Sequence, residues 1–149
     1  PQGGKSSLMM AIAGKTAPIY VQKVSEKIGY GLFARGVIKK GTPVGEYAGV
    51  VRRGNDKADR LNAYTFVYDP WNHFKMVVDA EKSGNYMRFA NHSAKNPNME
   101  AKLVYREKSR RWHVLLVAKK DIKKGDQLLF NYSNGYDWSR FGINNPAEL

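Results

Sequence analysis

Apolar and polar positions along this chain alternate in short runs, and none holds a helical period for long. Ile19-Tyr20-Val21 with Val24 reads as a strand; Gly29-Tyr30-Gly31 breaks it and Leu32-Phe33 resumes it. Residues 34–41 form a turn ending in Ile-Lys-Lys-Gly and lead into a β-branched strand over residues 44–51. Near the C-terminus the phrase returns: residues 118–125 end in the same four residues and lead into residues 128–132. Each copy carries a tyrosine in its strand, Tyr47 and Tyr132. Two copies are too few for a solenoid. They are either equivalent strand–turn units serving a shared site or a coincidence of common turn chemistry.

Between the copies, residues 55–64 suit a short helix, 64–68 a strand, Asp69-Pro70 a turn, and Met76-Val77-Val78 a strand closing on Asp79. Residues 83–89 suit a turn or short helix, and residues 102–105 and 112–117 a hairpin across the charged loop 107–111. The predicted fold is one domain, mainly β with short helices, built of irregular antiparallel sheets without βαβ alternation.

One stretch stands apart from this pattern. Residues 86–98, YMRFANHSAKNPN, begin apolar and end in small polar residues and a proline. Turn chemistry accounts for the polar half, because Asn, Ser and Pro compete with regular backbone pairing. It does not account for the Arg-Phe pair leading in, nor for the position between the two repeated phrases.

Composition narrows the chemistry. The formal charge is +12 over 149 residues, which predicts attraction to polyanions or acidic surfaces. The cations Lys39, Lys40, Arg52, Arg53, Lys119, Lys120, Lys123 and Lys124 are spread along the chain and form no single tail. Both nucleic-acid binding and a solvated basic face fit them. The absence of cysteine excludes disulfides, thiolate zinc sites, iron–sulfur clusters and a cysteine nucleophile. The histidines, His73, His92 and His113, have neither metal-ligand spacing nor a serine elbow to serve. GGKSS at residues 3–7 lacks the upstream glycine and strand of a phosphate-binding loop. No apolar run approaches the roughly 18 residues of a membrane span. The chain opens at Pro1, which suits a piece of a longer protein with residues 1–17 as a flexible or short helical lead-in. Tyrosines are the conspicuous polar groups, and they suit a reaction needing a positioned amine and a stabilised cation.

Residues 77–98, VVDAEKSGNYMRFANHSAKNPN, resemble the signature of the SET-domain protein lysine methyltransferases, with an enhancer-of-zeste-like Val-Asp-Ala, Gly-Asn and Arg-Phe-Ala-Asn-His-Ser. Four blocks similar to the family's occur in order: Gly29-Tyr30-Gly31, Tyr47-Ala48-Gly49, Arg88 to Ser93 with Pro97-Asn98, and Gly125 to Tyr132. The resemblance covers residues 18–138 and leaves 139–149 as a C-terminal segment. It implies a β-clip-like SET fold with knot-like C-terminal threading, S-adenosylmethionine as cofactor, and a lysine-bearing protein substrate such as a histone tail or nucleosome.

By the same resemblance, Gly29, Tyr30, Gly31, Arg88, Phe89, Asn91 and His92 hold the cofactor, His92 mainly through its backbone. Tyr132 stands near the transferred methyl and Tyr47 walls the lysine channel, with Phe130, Tyr86, Tyr136 and Trp138 lining it. Phe130, lacking a hydroxyl, implies multiple methylation. Many relatives carry Cys after Asn-His-Ser and a zinc-binding tail; Ala94 stands there instead, so no metal is implied and closure falls to Tyr136, Asp137, Trp138 and Phe141. Asn131 replaces the usual Asp. Such departures suit a bacterial or viral member, acting at chromatin in the nucleus (a host's, for a secreted effector) or otherwise in the cytoplasm. The rival implication is a weakly active or inactive SET-like module that contacts chromatin or DNA nonspecifically through its basic surface.

Overall fold

The computed structural model describes Ala11 and residues 14–54, 65–68 and 76–131. Strands β1 (Ile19–Ser25) and β2 (Gly29–Ala34) form an antiparallel ribbon with Ile19 opposite Ala34 and Ser25 opposite Gly29. The Gly-Tyr-Gly motif is therefore not a break, as its composition suggested. The turn lies at residues 26–28, and Gly29 opens β2 at φ 81°, a backbone region costly for a side chain.

The strand expected over residues 44–51 divides into β3 (Pro43–Glu46) and β4 (Val50–Arg53), which join different sheets. The kink at Tyr47-Ala48-Gly49 is enforced by packing. A Cβ on Gly49 would lie 2.4 Å from the Asp79 carbonyl oxygen, so only glycine lets these backbones meet. Strand β4 pairs with β6 (Met76–Asp79), which also pairs with β5 (Thr65–Tyr68), giving a three-stranded sheet. The helix expected over residues 55–64 and the Asp69-Pro70 turn lie outside the described residues. Residues 83–89 resolve into a 3-10 helix, Tyr86–Phe89, capped by Asn85, whose side chain accepts from the Met87 N–H at 3.1 Å.

The largest sheet runs β3-β9-β8-β10-β7, with β7 at Asn91–His92, β8 at Met99–Arg106, β9 at Arg111–Ala118 and β10 at Leu129–Phe130. The hairpin β8–β9 is in the expected place. Strand β9 is buried on both faces from His113 to Ala118, which is why it reads as an unbroken apolar run. Val114, Leu116 and Ala118 face the main core with Leu32, Val44, Met87, Met99, Leu128 and Phe130. Leu115 and Val117 pack with Ala11. One feature departs from the antiparallel expectation: β10 runs parallel to both β7 and β8. The threading expected for the C-terminal part concerns residues beyond Asn131, outside the described ones.

The repeated phrase is a structural pair. Ile38 N–H donates to the Ile122 carbonyl at 2.9 Å and Ile122 N–H returns to Ile38 at 2.8 Å. Gly41 donates to Ala118 and Gly125 to Ala34; Ala118 donates to Thr42 and Ala34 to Asp126. Each bond has its counterpart at the same offset along the chain, a local two-fold arrangement of the two turns. Both isoleucines are buried in the main core. Truncating Ile122 to Ala removes a buried anchor from this junction and should destabilise by about 2–5 kcal/mol. Urea unfolding should show the midpoint falling with an unchanged slope.

Candidate functional site

Strand β10 is only two residues long and is held largely by Asn98, which is buried in the loop between β7 and β8. The Asn98 carboxamide oxygen accepts from Leu129 N–H at 2.9 Å, and its Nδ2 donates to the Gln127 carbonyl at 2.9 Å. Its backbone N–H donates to the Leu129 carbonyl, and Ser93 N–H does the same to Phe130. The polar loop thus acts as a clamp. It sets Leu129 beside Asn91 and Phe130 beside His92.

This register brings the Gly-Tyr-Gly strand and the Asn-His pair together. Asn91 Nδ2 donates to the Tyr30 carbonyl at 3.2 Å and to Gln127 Oε1 at 3.0 Å. A Cβ on Gly31 would lie 2.7 Å from Gln127 Oε1 and 3.2 Å from Asn91 Nδ2, so the glycine makes room for this amide junction. The Tyr30 ring, about half exposed, meets Phe89 edge-on at 6.3 Å between centroids. Arg88 lies over Phe89 at 4.9 Å and donates to the Ala80 and Glu81 carbonyls, fixing the 3-10 helix against residues 80–81. Tyr30, Gly31, Arg88, Phe89 and Asn91 therefore converge on one locality, with Gly29 and His92 as their neighbours along the chain.

A second group lies behind β10. The Tyr47 and Phe66 rings are 5.7 Å apart and Phe66 stacks with Phe130 at 6.2 Å. Tyr47 and Phe130 are both buried. This three-ring row is apolar apart from the Tyr47 hydroxyl, with Phe66 partly buried. Tyr86 is 59% exposed at the start of the 3-10 helix, outside the buried row. Tyr132, Tyr136, Trp138 and Phe141 lie outside the described residues, as does His73.

Phe66 carried no sequence signal beyond a place in a predicted strand, and Gln127 none beyond membership of the last block. A third group was also missed. Glu46, beside Tyr47, is buried, and its Oε1 lies 2.8 Å from His113 Nδ1. Ser109 Oγ lies 2.7 Å from His113 Nε2. The order resembles a hydrolytic triad, but the Ser109 hydroxyl also reaches the Arg106 carbonyl at 3.2 Å within its own turn. The histidine is a buried brace: it joins the β8–β9 turn to β3. Asn85 Nδ2 adds a second brace to the Glu46 carbonyl at 2.8 Å, linking the strand end before Tyr47 to the 3-10 helix.

Comparison with known proteins gives the context for this arrangement. A family model described as SET domain matches residues 29–133. The histone-lysine N-methyltransferase EZH2 of Chaetomium thermophilum is 34% identical over 122 residues, covering 74% of this chain and 8% of that protein. The chain thus spans a small part of that relative. Among solved structures, KRYPTONITE in complex with mCHG DNA and SAH aligns with a TM-score of 0.64 at 33% identity, covering 83% of this chain and 25% of that one. ATXR5 in complex with histone H3.1 aligns with a TM-score of 0.70, covering 89% and 64%; at 24% identity this likeness speaks for the fold.

The clamp makes its own prediction. Replacing Asn98 with Ala leaves the Leu129 N–H and the Gln127 carbonyl without these partners, at a cost of about 1–3 kcal/mol. Amide hydrogen exchange at Leu129 should accelerate more than at the hairpin amides of β9.

Proposed function

The chain belongs to the SET-domain family, and from that premise we propose that it is an S-adenosylmethionine-dependent protein lysine N-methyltransferase directed at histone tails. The observation that carries this reading is the adjacency of two unlike surfaces across β10. One is the polar junction of Tyr30, Gly31, Asn91 and Gln127; the other is the aromatic row Tyr47, Phe66 and Phe130. A charged, polar cofactor and an apolar passage for a lysine stem need such a pair of environments side by side.

The residues of the polar junction fit the cofactor. Asn91 uses its N–H groups on Tyr30 and Gln127, and these bonds hold the backbones of residues 30–31 and 91–92 as a fixed set of donors and acceptors. Tyr30 and Phe89 offer aromatic surface to an adenine. In this reading Gly29, Tyr30, Gly31, Arg88, Phe89, Asn91 and His92 form the cofactor site, with Arg88 acting through its brace on the 3-10 helix. S-adenosylmethionine, when bound, supplies a methyl group on a positively charged sulfur.

The remaining work belongs to this chain's own side chains. A lysine amine attacks only when neutral, and the apolar row disfavours the ammonium by desolvation. In this reading Tyr47 and Phe130 wall the passage, Tyr132 orients the amine, and Tyr86, Tyr136 and Trp138 belong to the substrate channel. Alignment of the amine with the methyl carries much of the acceleration. Phe130 leaves room where a hydroxyl would hold water, which supports multiple methylation. Without cysteine, closure falls to the C-terminal aromatics. The histone substrate is taken from the relatives' names, and it puts the protein at chromatin, with nonspecific DNA contact through its basic surface.

A second reading, an inactive SET-like module on chromatin, is favoured by one observation: Asn131 stands in the last block where the resemblance leads one to expect Asp. Calorimetry separates the two, because such a module takes up no S-adenosylmethionine. Incubation with histones and methyl-labelled cofactor tests the first reading directly. Label should enter lysine, and Tyr132→Phe should lower kcat by about 10²-fold through loss of one positioned hydroxyl. Absence of transfer to any lysine protein overturns it. Mass spectrometry of the products should find di- or trimethyl-lysine, and Phe130→Tyr should shift them towards monomethyl-lysine.

A further inference from the structure

The fold gathers lysines that the sequence keeps far apart. Reciprocal bonding of Ile38 with Ile122 sets the two Ile-Lys-Lys-Gly turns against each other. Lys39 and Lys40 come from one turn, and Lys119, Lys120, Lys123 and Lys124 from the other; all six are exposed. The acids within these turns are Asp121 and Asp126, and both have local tasks. Asp121 accepts from the Lys40 N–H at 2.8 Å and Asp126 from the Lys123 N–H at 3.1 Å, so each carboxylate holds backbone. The ion pair of Lys39 with Asp121 is 3.9 Å long and solvent-exposed, too weak to explain the cluster by stability.

Like charges gathered on one surface repel, and folding gains nothing from placing them there. We infer that this double-turn platform binds the phosphate backbone of duplex DNA, without reading sequence. Lysine is suited to that task as a point charge on a flexible stem, whereas planar bidentate recognition calls for arginine. Val37 is the one large exposed apolar side chain in the two turns among the described residues, so the platform lacks the apolar centre usual in protein interfaces. The inference gives a location to the DNA contact proposed above and does not depend on methyl transfer.

Fluorescence anisotropy with a short mixed-sequence duplex, titrated with salt, tests it. Neutralising Lys39, Lys40, Lys123 and Lys124 to Gln should flatten the log–log salt dependence by about 2–4 charges' worth. The pairs Lys39/Lys40 and Lys123/Lys124 should each give about half of that loss. A control of equal charge elsewhere, Lys82, Lys102, Lys108 and Arg110 to Gln, should change the slope by less than about 1. Thermal melts should show all variants folded, as the side chains are exposed. An equal loss in the control, a loss confined to one turn, tighter binding to polyglutamate than to DNA, or no DNA binding at all would each overturn the inference. Neither cofactor nor turnover enters the assay, so its failure leaves the methyltransferase reading standing.

Discussion

A strand of two residues cannot hold its own place in a sheet, and the organisation of this protein turns on how one such strand is held. β10 pairs in register with Asn91 and His92 on one side and Met99 on the other, and its carbonyls accept from the Ser93 and Asn98 backbone N–H groups. Asn98 supplies the rest by acting as a short piece of strand with its side chain, accepting from one backbone group and donating to another. Buried amide–backbone bonds of this kind matter chiefly through what their loss would leave unpaired. Through β10 the same clamp sets Gln127 against Asn91 and Phe130 against Phe66. Both halves of the candidate site therefore rest on a loop asparagine that bonds the Gln127 and Leu129 backbone.

Around that clamp lie two unlike environments. At Asn91, the side-chain amide bonds another amide and a backbone carbonyl, an arrangement with fixed direction. At Phe130 three rings pack against one another, two of them buried. Glu46 and His113 brace the kink that delivers Tyr47 to this row, and Asn85 ties the same kink to the 3-10 helix. Polar bracing buried beside an apolar row is costly unless fully bonded, and both ring nitrogens of His113 have partners here. A rigid passage is what alignment of a flexible lysine side chain requires.

Much of the fold was legible in the chain because its signals were local. Alternation placed β1, β5, β6 and the β8–β9 hairpin, and residues from separate blocks, Tyr30, Gly31, Phe89 and Asn91, meet in one locality. What failed to read correctly failed for tertiary reasons. Gly29-Tyr30-Gly31 looked like an interruption, since glycine weakens strands; in the structure the side chains of Gln127, Val24 and Asn91 crowd the space a Cβ on Gly31 would need. Residues 44–51 looked like one strand, and the approach of Asp79 to Gly49 divides it. Phe66, Gln127 and the Glu46–His113 pair had no local mark, because each acts through a partner distant in sequence.

The repeated Ile-Lys-Lys-Gly phrase shows most clearly where the two kinds of information divide. The chain alone determined that there are two turns, that each carries an isoleucine to bury and lysines to expose, and that the net charge is strongly positive. These follow from side-chain chemistry within a few residues. Only the tertiary structure decided that the turns bond each other reciprocally, so that scattered lysines become one surface. Backbone hydrogen bonds carry no residue identity, and their pairing is chosen by the packing of the whole core around Ile38 and Ile122.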